Sequence, residues 1–203
     1  MLMSQFNGVL VTDALAKCAK REKRMDWQEL YKNLEIIKEQ YPGYSAVPKP
    51  SANDLVEFES LAKIALPKSY KDFAMVFGAG ELAGFYRIAT PLPIPDDYEL
   101  GRFNKNLHGE PDERLLAGYG SAEYQERFYF FCSSGGGTFF GWKTDVVTIV
   151  SANEYPIYEF HEPPNARKVS ESFDQFIAKY ILESDARRKW TPRKTFAPFL
   201  FAE

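Results

Sequence analysis

The chain is poor in the residues that most often carry chemistry. Only two cysteines and two histidines occur among its 203 residues. No Cys-x-x-Cys or His-Glu-x-x-His spacing is present, so there is no zinc-type signature. Two cysteines, Cys18 and Cys132, do not make a disulfide framework, and both read as inert thiols. A serine triad would have to draw on His108 or His161, and no Gly-x-Ser-x-Gly elbow accompanies them. No apolar run approaches the ~18 residues that span a bilayer. The first residues, MLMSQFNGVLVTDALAKCAKREKR, place their basic side chains after the apolar ones, the reverse of a secretory signal. The expectation is a cytoplasmic protein with no metal and no cofactor.

One glycine-rich stretch invites a nucleotide reading. GGGTFFGWKT, residues 135–144, differs from a phosphate-binding P-loop by a single inserted residue, Trp142, between Gly141 and Lys143. A P-loop needs a helix behind it, so that the helix N-terminus meets the phosphate. Here Thr138, Phe139, Phe140 and Trp142 follow, which are strand formers, and the aromatic run RFYFFC precedes. The stretch reads as the tip of a β-hairpin.

What the chain has is charge unevenly spread. Its 25 basic residues split as five in 1–24, fifteen in 25–186 and five in 187–203; its 28 acidic residues split as two, twenty-five and one. An acidic body disfavours nucleic acid and attracts basic partners at long range. Such charge also keeps a domain soluble with no partner at all.

The apolar periodicity gives the elements. DWQELYKNLEIIKEQY (26–41) predicts a helix with the stripe Trp27, Leu30, Leu34, Ile37 and Tyr41. A second helix starts at Ser51 or Asn53 with Leu55, Phe58, Leu61 and Ala62 on one face. A third follows Pro67, buries Tyr70, Phe73, Ala74 and Phe77, and leaves through Gly78 and Gly80. Then the period changes. Strands are expected at 85–90, 127–132, 137–142, 146–150 and 156–160, with helical fragments near 97–106 and 111–118. Ser172 and Gln175 form a capping box for a closing helix that buries Phe173, Phe176, Ile177, Tyr180 and Ile181. The tail, RRKWTPRKTFAPFLFAE, has two prolines and no period, and is expected to lie along the surface. The order of helices, strands and one last helix, without βαβ alternation or a repeat, argues an α+β fold. The expected architecture is a single, mostly antiparallel sheet of about five to six strands with helices packed around it.

Three stretches together resemble the SUKH superfamily, which contains fungal cell-wall assembly regulators and many bacterial immunity proteins. They are DLVEFESLAKIALPKSYKDFAMVFGAGEL, with Glu59, Leu66-Pro67 and the Tyr70–Phe73 helix; FYFFCSSGGGTFFGW; and EYPIYEFHEPPNARKVSESFDQFIAKYI. They cover most of residues 51–185. This chain carries Ser133-Ser134-Gly135 where the family's turn usually has aspartates, and Gly78-Ala79-Gly80 where it usually reads Asn-Gly. The corresponding division is an N-terminal helical extension (1–45), a SUKH-like domain (46–186) and a basic, aromatic tail (187–203). The resemblance implies a non-enzymatic binding module, of the immunity type that neutralises a nuclease or deaminase toxin by direct binding.

On that reading the partner is a protein, a basic toxin domain. The candidate binding residues are the carboxylates Glu81, Asp96, Asp97, Glu99, Glu110, Asp112 and Glu113, with Tyr98 and Phe103, and also Tyr119, as aromatic anchors. Solvated loop charge and core packing are the ordinary roles of such residues. A cellular scaffold of the same fold is the alternative, in which Arg187, Arg188, Lys189, Trp190, Arg193 and Lys194 would meet an acidic partner or a membrane surface. An enzyme would need convergence of groups such as Glu59, Glu81 and His161, or a working pair from Asp96 and Asp97, which as loop neighbours rarely face one another. An N-terminal strand, FNGVLV, could pair across a homodimer.

Overall fold

The computed structural model describes residues 24–38, 42–92, 98–108, 122–162, 165–183 and 191–202. The architecture is α+β. The described strands are β1 (Glu35–Ile36), β2 (Tyr44–Ala46), β3 (Gly80–Leu82), β4 (Tyr86–Ile88), β5 (Phe128–Ser134), β6 (Phe139–Lys143), β7 (Ile157–Glu162), β8 (Asn165–Ser170), β9 (Thr195–Pro198) and β10 (Leu200–Ala202). Eight form one sheet in the order β1-β9-β3-β4-β5-β6-β7-β8, and β10 pairs with β2 in a small second sheet. Only the β1–β9 pair among these ladders is parallel. The sheet therefore has eight strands where five to six were expected. The strands not foreseen are short or polar: β1 is Glu35–Ile36, β3 is Gly80–Leu82, β8 is Asn165–Ser170, and β9 is Thr195–Pro198.

Helix α1, Trp27–Asn33, is capped by Asp26, whose carboxylate accepts the Glu29 amide at 3.0 Å. It stops well before the expected residue 41. Leu34 turns to an extended conformation, and Glu35 and Ile36 pair with Thr195 and Phe196. Strand pairing outcompetes a stripe that local periodicity alone would continue. Helix α2, Ala52–Ala62, opens with a complete capping box between Ser51 and Asp54. Helix α3, Lys68–Phe77, follows Pro67 and buries Tyr70, Phe73, Ala74 and Phe77 as its spacing predicts. Gly78 leaves it with φ +74°, but Gly80 has no left-handed role. It starts β3, Gly80–Leu82, because a Cβ there would come within 2.4 Å of the Phe196 ring and 2.6 Å of the Ala197 carbonyl.

Strands β4 (Tyr86–Ile88), β5 (Phe128–Ser134), β6 (Phe139–Lys143) and β7 (Ile157–Glu162) form the antiparallel middle. The β5–β6 connection is the expected hairpin tip: Ser134 and Thr138 close it by a 2.8 Å backbone bond, and Gly137 takes φ +79°. Residues 146–150 do not form the expected strand. They make an exposed loop into a 3₁₀ turn, Val150–Ala152, tied by an isolated bridge between Ile149 and Glu154.

Strand alternation turns Phe130 and Phe131 to opposite faces, and a bulge between Phe130 and Cys132 lets Cys132 join Phe131 on the main-core side. Phe131 stacks on Trp142 at 4.3 Å in the main core, which α1–α3 and the closing helix cover. Phe130 joins Phe128, Phe160 and Leu107 in a second cluster under α4, Leu100–His108. Helix α5 is the single turn Ala122–Gln125 before β5, and the closing helix α6 is one α-turn, Phe173–Gln175, running on as π-helix over Phe176–Leu182. The reciprocal capping box expected of Ser172 and Gln175 is not made: the Ser172 hydroxyl donates to Asp174 instead. A buried carboxylate fixes both helix starts. Glu154 accepts the Ser69 amide at 3.0 Å, the Ser69 hydroxyl at 2.8 Å and the Phe173 amide at 3.2 Å.

The end of the chain differs most from its sequence reading. Instead of lying along the surface, Thr195–Pro198 is an inner strand between β1 and β3, with Phe196 fully buried. Phe199 then turns the chain off the sheet, and β10, Leu200–Ala202, pairs with β2, Tyr44–Ala46.

Candidate functional site

One side of α2, from Asp54 to Ala62, meets the start of α4 beside Tyr129 of β5 and forms an acidic cleft. Helix α2 supplies Asp54, Glu57, Phe58 and Leu61; the connection after β4 supplies Pro91 and Leu92; the start of α4 supplies Glu99 and Gly101; and Tyr129 of β5 closes the back. The cleft holds about 630 Å³, and none of its described lining residues is a cation.

Capping chemistry places the carboxylates. Asp54 accepts the Ser51 amide at 2.6 Å as the far half of the capping box, and the hydrogen bonds to Ser51 hold its carboxyl below the usual value. Glu99 accepts the amides of Gly101 and Arg102, both at 2.7 Å, and so sits over the first turn of α4. Its backbone is fixed by a bridge to Thr90, whose carbonyl takes the Leu100 amide at 3.1 Å. Each carboxylate has about four lone-pair sites, so neither cap exhausts its acceptor. Glu57 is exposed one turn along α2.

The walls are apolar. Leu61 is 75 % exposed and lines the cleft. Phe58 meets the Tyr129 ring edge-on at 6.3 Å. Burial first, and the Glu99 charge second, push the Tyr129 hydroxyl well above its ordinary range, so it stays a neutral donor. The arrangement offers a cationic side chain fixed carboxylates for its head and apolar surface for its stem.

The sequence-predicted residues separate here. Glu99 lines the cleft. Tyr98 sits beside it in sequence but spends one ring face on Phe199, with centroids 3.7 Å apart. Phe103 is half-buried and packs against both hydrophobic clusters, so it is a core residue and not an exposed anchor. Glu81 does not line the cleft; it pairs across the β3–β4 hairpin with Arg87 at 3.5 Å. Asp96, Asp97, Glu110, Asp112, Glu113 and Tyr119 lie outside the described residues. The sequence reading missed Asp54, Glu57 and Leu61. The capping-box spacing from Ser51 and a leucine displaced from the buried face of α2 were the available signals.

Other chemistry-bearing groups are occupied structurally. Glu59 accepts the Leu66 amide at 2.7 Å and pairs with Lys71 at 2.9 Å. His161 shares a 2.8 Å hydrogen bond with Thr138. Burial pushes the Cys132 thiol well above its ordinary value, which leaves no thiolate there near neutral pH. Among the described residues no group of three His, Cys, Asp or Glu side chains could hold a metal ion, and no helix is long and apolar enough to cross a membrane.

A model of the SMI1 / KNR4 family (SUKH-1) matches residues 49–179, well over half of the chain. The chain belongs to that family. The matched SUKH-1 segment runs from the residues before α2 into α6, and so contains every residue of the acidic cleft. Helix α1 and strands β1, β2, β9 and β10 lie outside it. No curated protein matched the chain, and no solved structure did.

Proposed function

We propose that this SUKH-1 protein is a non-enzymatic binding module of the immunity type, which takes a basic segment of a cognate toxin domain into the acidic cleft. The observation that carries the reading is the cleft itself: Asp54, Glu57 and Glu99 around exposed Leu61, with no cation among the described lining residues. Long-range attraction by the acidic body speeds encounter, and the apolar floor retains the partner. Asp96, Asp97, Glu110, Asp112 and Glu113 remain further partner-binding candidates in this proposal, for their charge alone.

The test is a titration of the purified chain against the basic toxin domain encoded beside it, at two salt concentrations, with growth of cells co-expressing both as the functional readout. Tight association that weakens with salt, with Glu57→Lys and with Leu61→Asp supports the reading. The absence of such a neighbour, or association indifferent to salt and to both variants, overturns it.

A further inference from the structure

A second cavity, of about 620 Å³, opens where β1 and β9 of the large sheet meet the β2–β10 pair. Its size falls in the range of small-molecule sites, roughly 300–1,000 Å³. The lining is apolar, with Ile36, Val47, Phe77 and Leu200 among its residues. The charged lining residues are two cations, Lys38 and Lys49, with no carboxylate among the described ones. This is the reverse of the acidic cleft.

Lys49 is held in place before any ligand arrives. Its ammonium donates to the Val76 carbonyl and stands 4.6 Å from the centroid of the Tyr31 ring. Its stem runs over Gly78, where a Cβ would come within 3.2 Å of Lys49 Cγ. An ammonium has three donors, and the carbonyl takes one. Partial burial already lowers its pKa, a cost that an incoming anion would relieve.

We propose that this cavity binds a single-chain amphiphilic carboxylate, with the acyl chain on the apolar floor and the carboxylate on Lys49. An apolar pocket alone would accept any lipid-like tail; the two lysines select the anion. Of the residues lining the cavity, only Lys49 and Phe77 fall within the matched 49–179 segment. The cavity is therefore built mainly by segments outside the family core, and its ligand is independent of the acidic cleft.

The experiment is calorimetric titration of the full chain with decanoate and, separately, with decylamine. Decanoate is expected to bind saturably, one per chain, at about 1 mM or below, and decylamine not to bind. Lys49→Met should weaken decanoate roughly tenfold or more, the value of a charge-assisted hydrogen bond. Ala46→Trp, at an exposed β2 position on the cavity wall, should abolish binding by filling the space while the thermal melt stays close to wild type. Lys38→Met provides a second charge variant should Lys49→Met unfold, with a weaker loss expected. Three outcomes each overturn the proposal: no saturable decanoate binding, equal binding of decylamine, or wild-type decanoate affinity in Ala46→Trp.

Discussion

Asn104 is the side chain whose loss tests the account of the sheet most directly. It is 5 % exposed on the inner face of α4 and closes three hydrogen bonds. Its amide nitrogen donates to the Leu100 carbonyl at 2.8 Å and to the Phe130 carbonyl at 2.6 Å, and its oxygen accepts the Phe130 amide at 2.7 Å. Phe130 stands at the β-bulge, where the ladder to β6 is interrupted, so Asn104 serves both backbone groups of a residue with no access to water. Asn104→Leu keeps the side chain's branching at Cγ and strands those two groups. At about 1–3 kcal/mol for each buried orphan, the expected loss is about 2–5 kcal/mol, after some gain from the apolar side chain. For a chain of this size about 1 kcal/mol moves the melting temperature by about 2–4 °C, so a fall of roughly 5–20 °C is expected. Thermal and urea unfolding, followed by circular dichroism, measure it. Leu107→Ala in the same cluster calibrates the scale, since a buried leucine truncation costs about 2–5 kcal/mol. Should Asn104→Leu melt within about 2 °C of wild type, the bulge does not depend on Asn104 and the reasoning fails.

Four further outcomes are expected. Glu57→Lys should slow association of a basic partner and reduce its salt dependence, whereas Leu61→Asp should speed dissociation; stopped-flow kinetics separate the two. Gly80→Ala should destabilise by about 1–3 kcal/mol or more, because the added Cβ meets backbone at Ala197 that has no rotamer to yield; urea unfolding reads this. Burial pushes the Glu154 carboxyl above its ordinary value against the pull of its hydrogen bonds from Ser69 and Phe173. The folded state then binds more protons than the unfolded one above pH 4.5, so this group's contribution falls as pH rises through that window, and Glu154→Gln should flatten that part of the melting-temperature profile. Deleting residues 195–203 should leave no cooperative unfolding transition, since it removes an inner strand and Phe196 from the core.

Legibility in the sequence followed the range of the interactions. Helix α3 was readable to its end because Pro67, the stripe at Tyr70, Phe73, Ala74 and Phe77, and Gly78 are all local signals. The hairpin tip was readable because aromatic strand formers flank its glycines. The elements that were misread depend on partners far away in the chain. Leu34 to Ile36 leave the helical path for a strand 160 residues distant, and Thr195 to Pro198 hold a place in the sheet despite Pro198 and a basic neighbourhood. Residues 146–150 have strand-like composition, yet Val146, Val147, Ile149 and Val150 stay exposed, and among the described residues only an isolated Ile149–Glu154 bridge pairs them. At the site, Glu99 was found for its charge and Phe103 chosen for its ring. Packing under α4 leaves Phe103 half-buried, while Leu61, placed by its spacing on the apolar face of α2, is exposed beside Asp54, which the sequence reading did not single out.

The two surfaces have different origins in the chain, and this separates their roles. The acidic cleft is made by α2, α4 and β5, which the family segment contains whole, and two of its carboxylates, Asp54 and Glu99, are set by helix caps that the fold needs in any case. Charge placed this way is rigid and inexpensive to maintain, because the positive ends of α2 and α4 offset the crowding of like charges. The lysine-lined cavity exists only because α1, β1 and β2 come back to meet β9 and β10, with the sheet joining chain segments at both ends of the matched region. The cavity lining draws on Ile36 of β1, Tyr44 to Ala46 of β2, Pro198 of β9 and Leu200 of β10, so a ligand there would contact the last two strands directly. Occupancy of the cavity should therefore protect β9 and β10 amides from hydrogen exchange more than those of β5 and β6, and equal protection across the sheet under decanoate would refute a local role for the cavity.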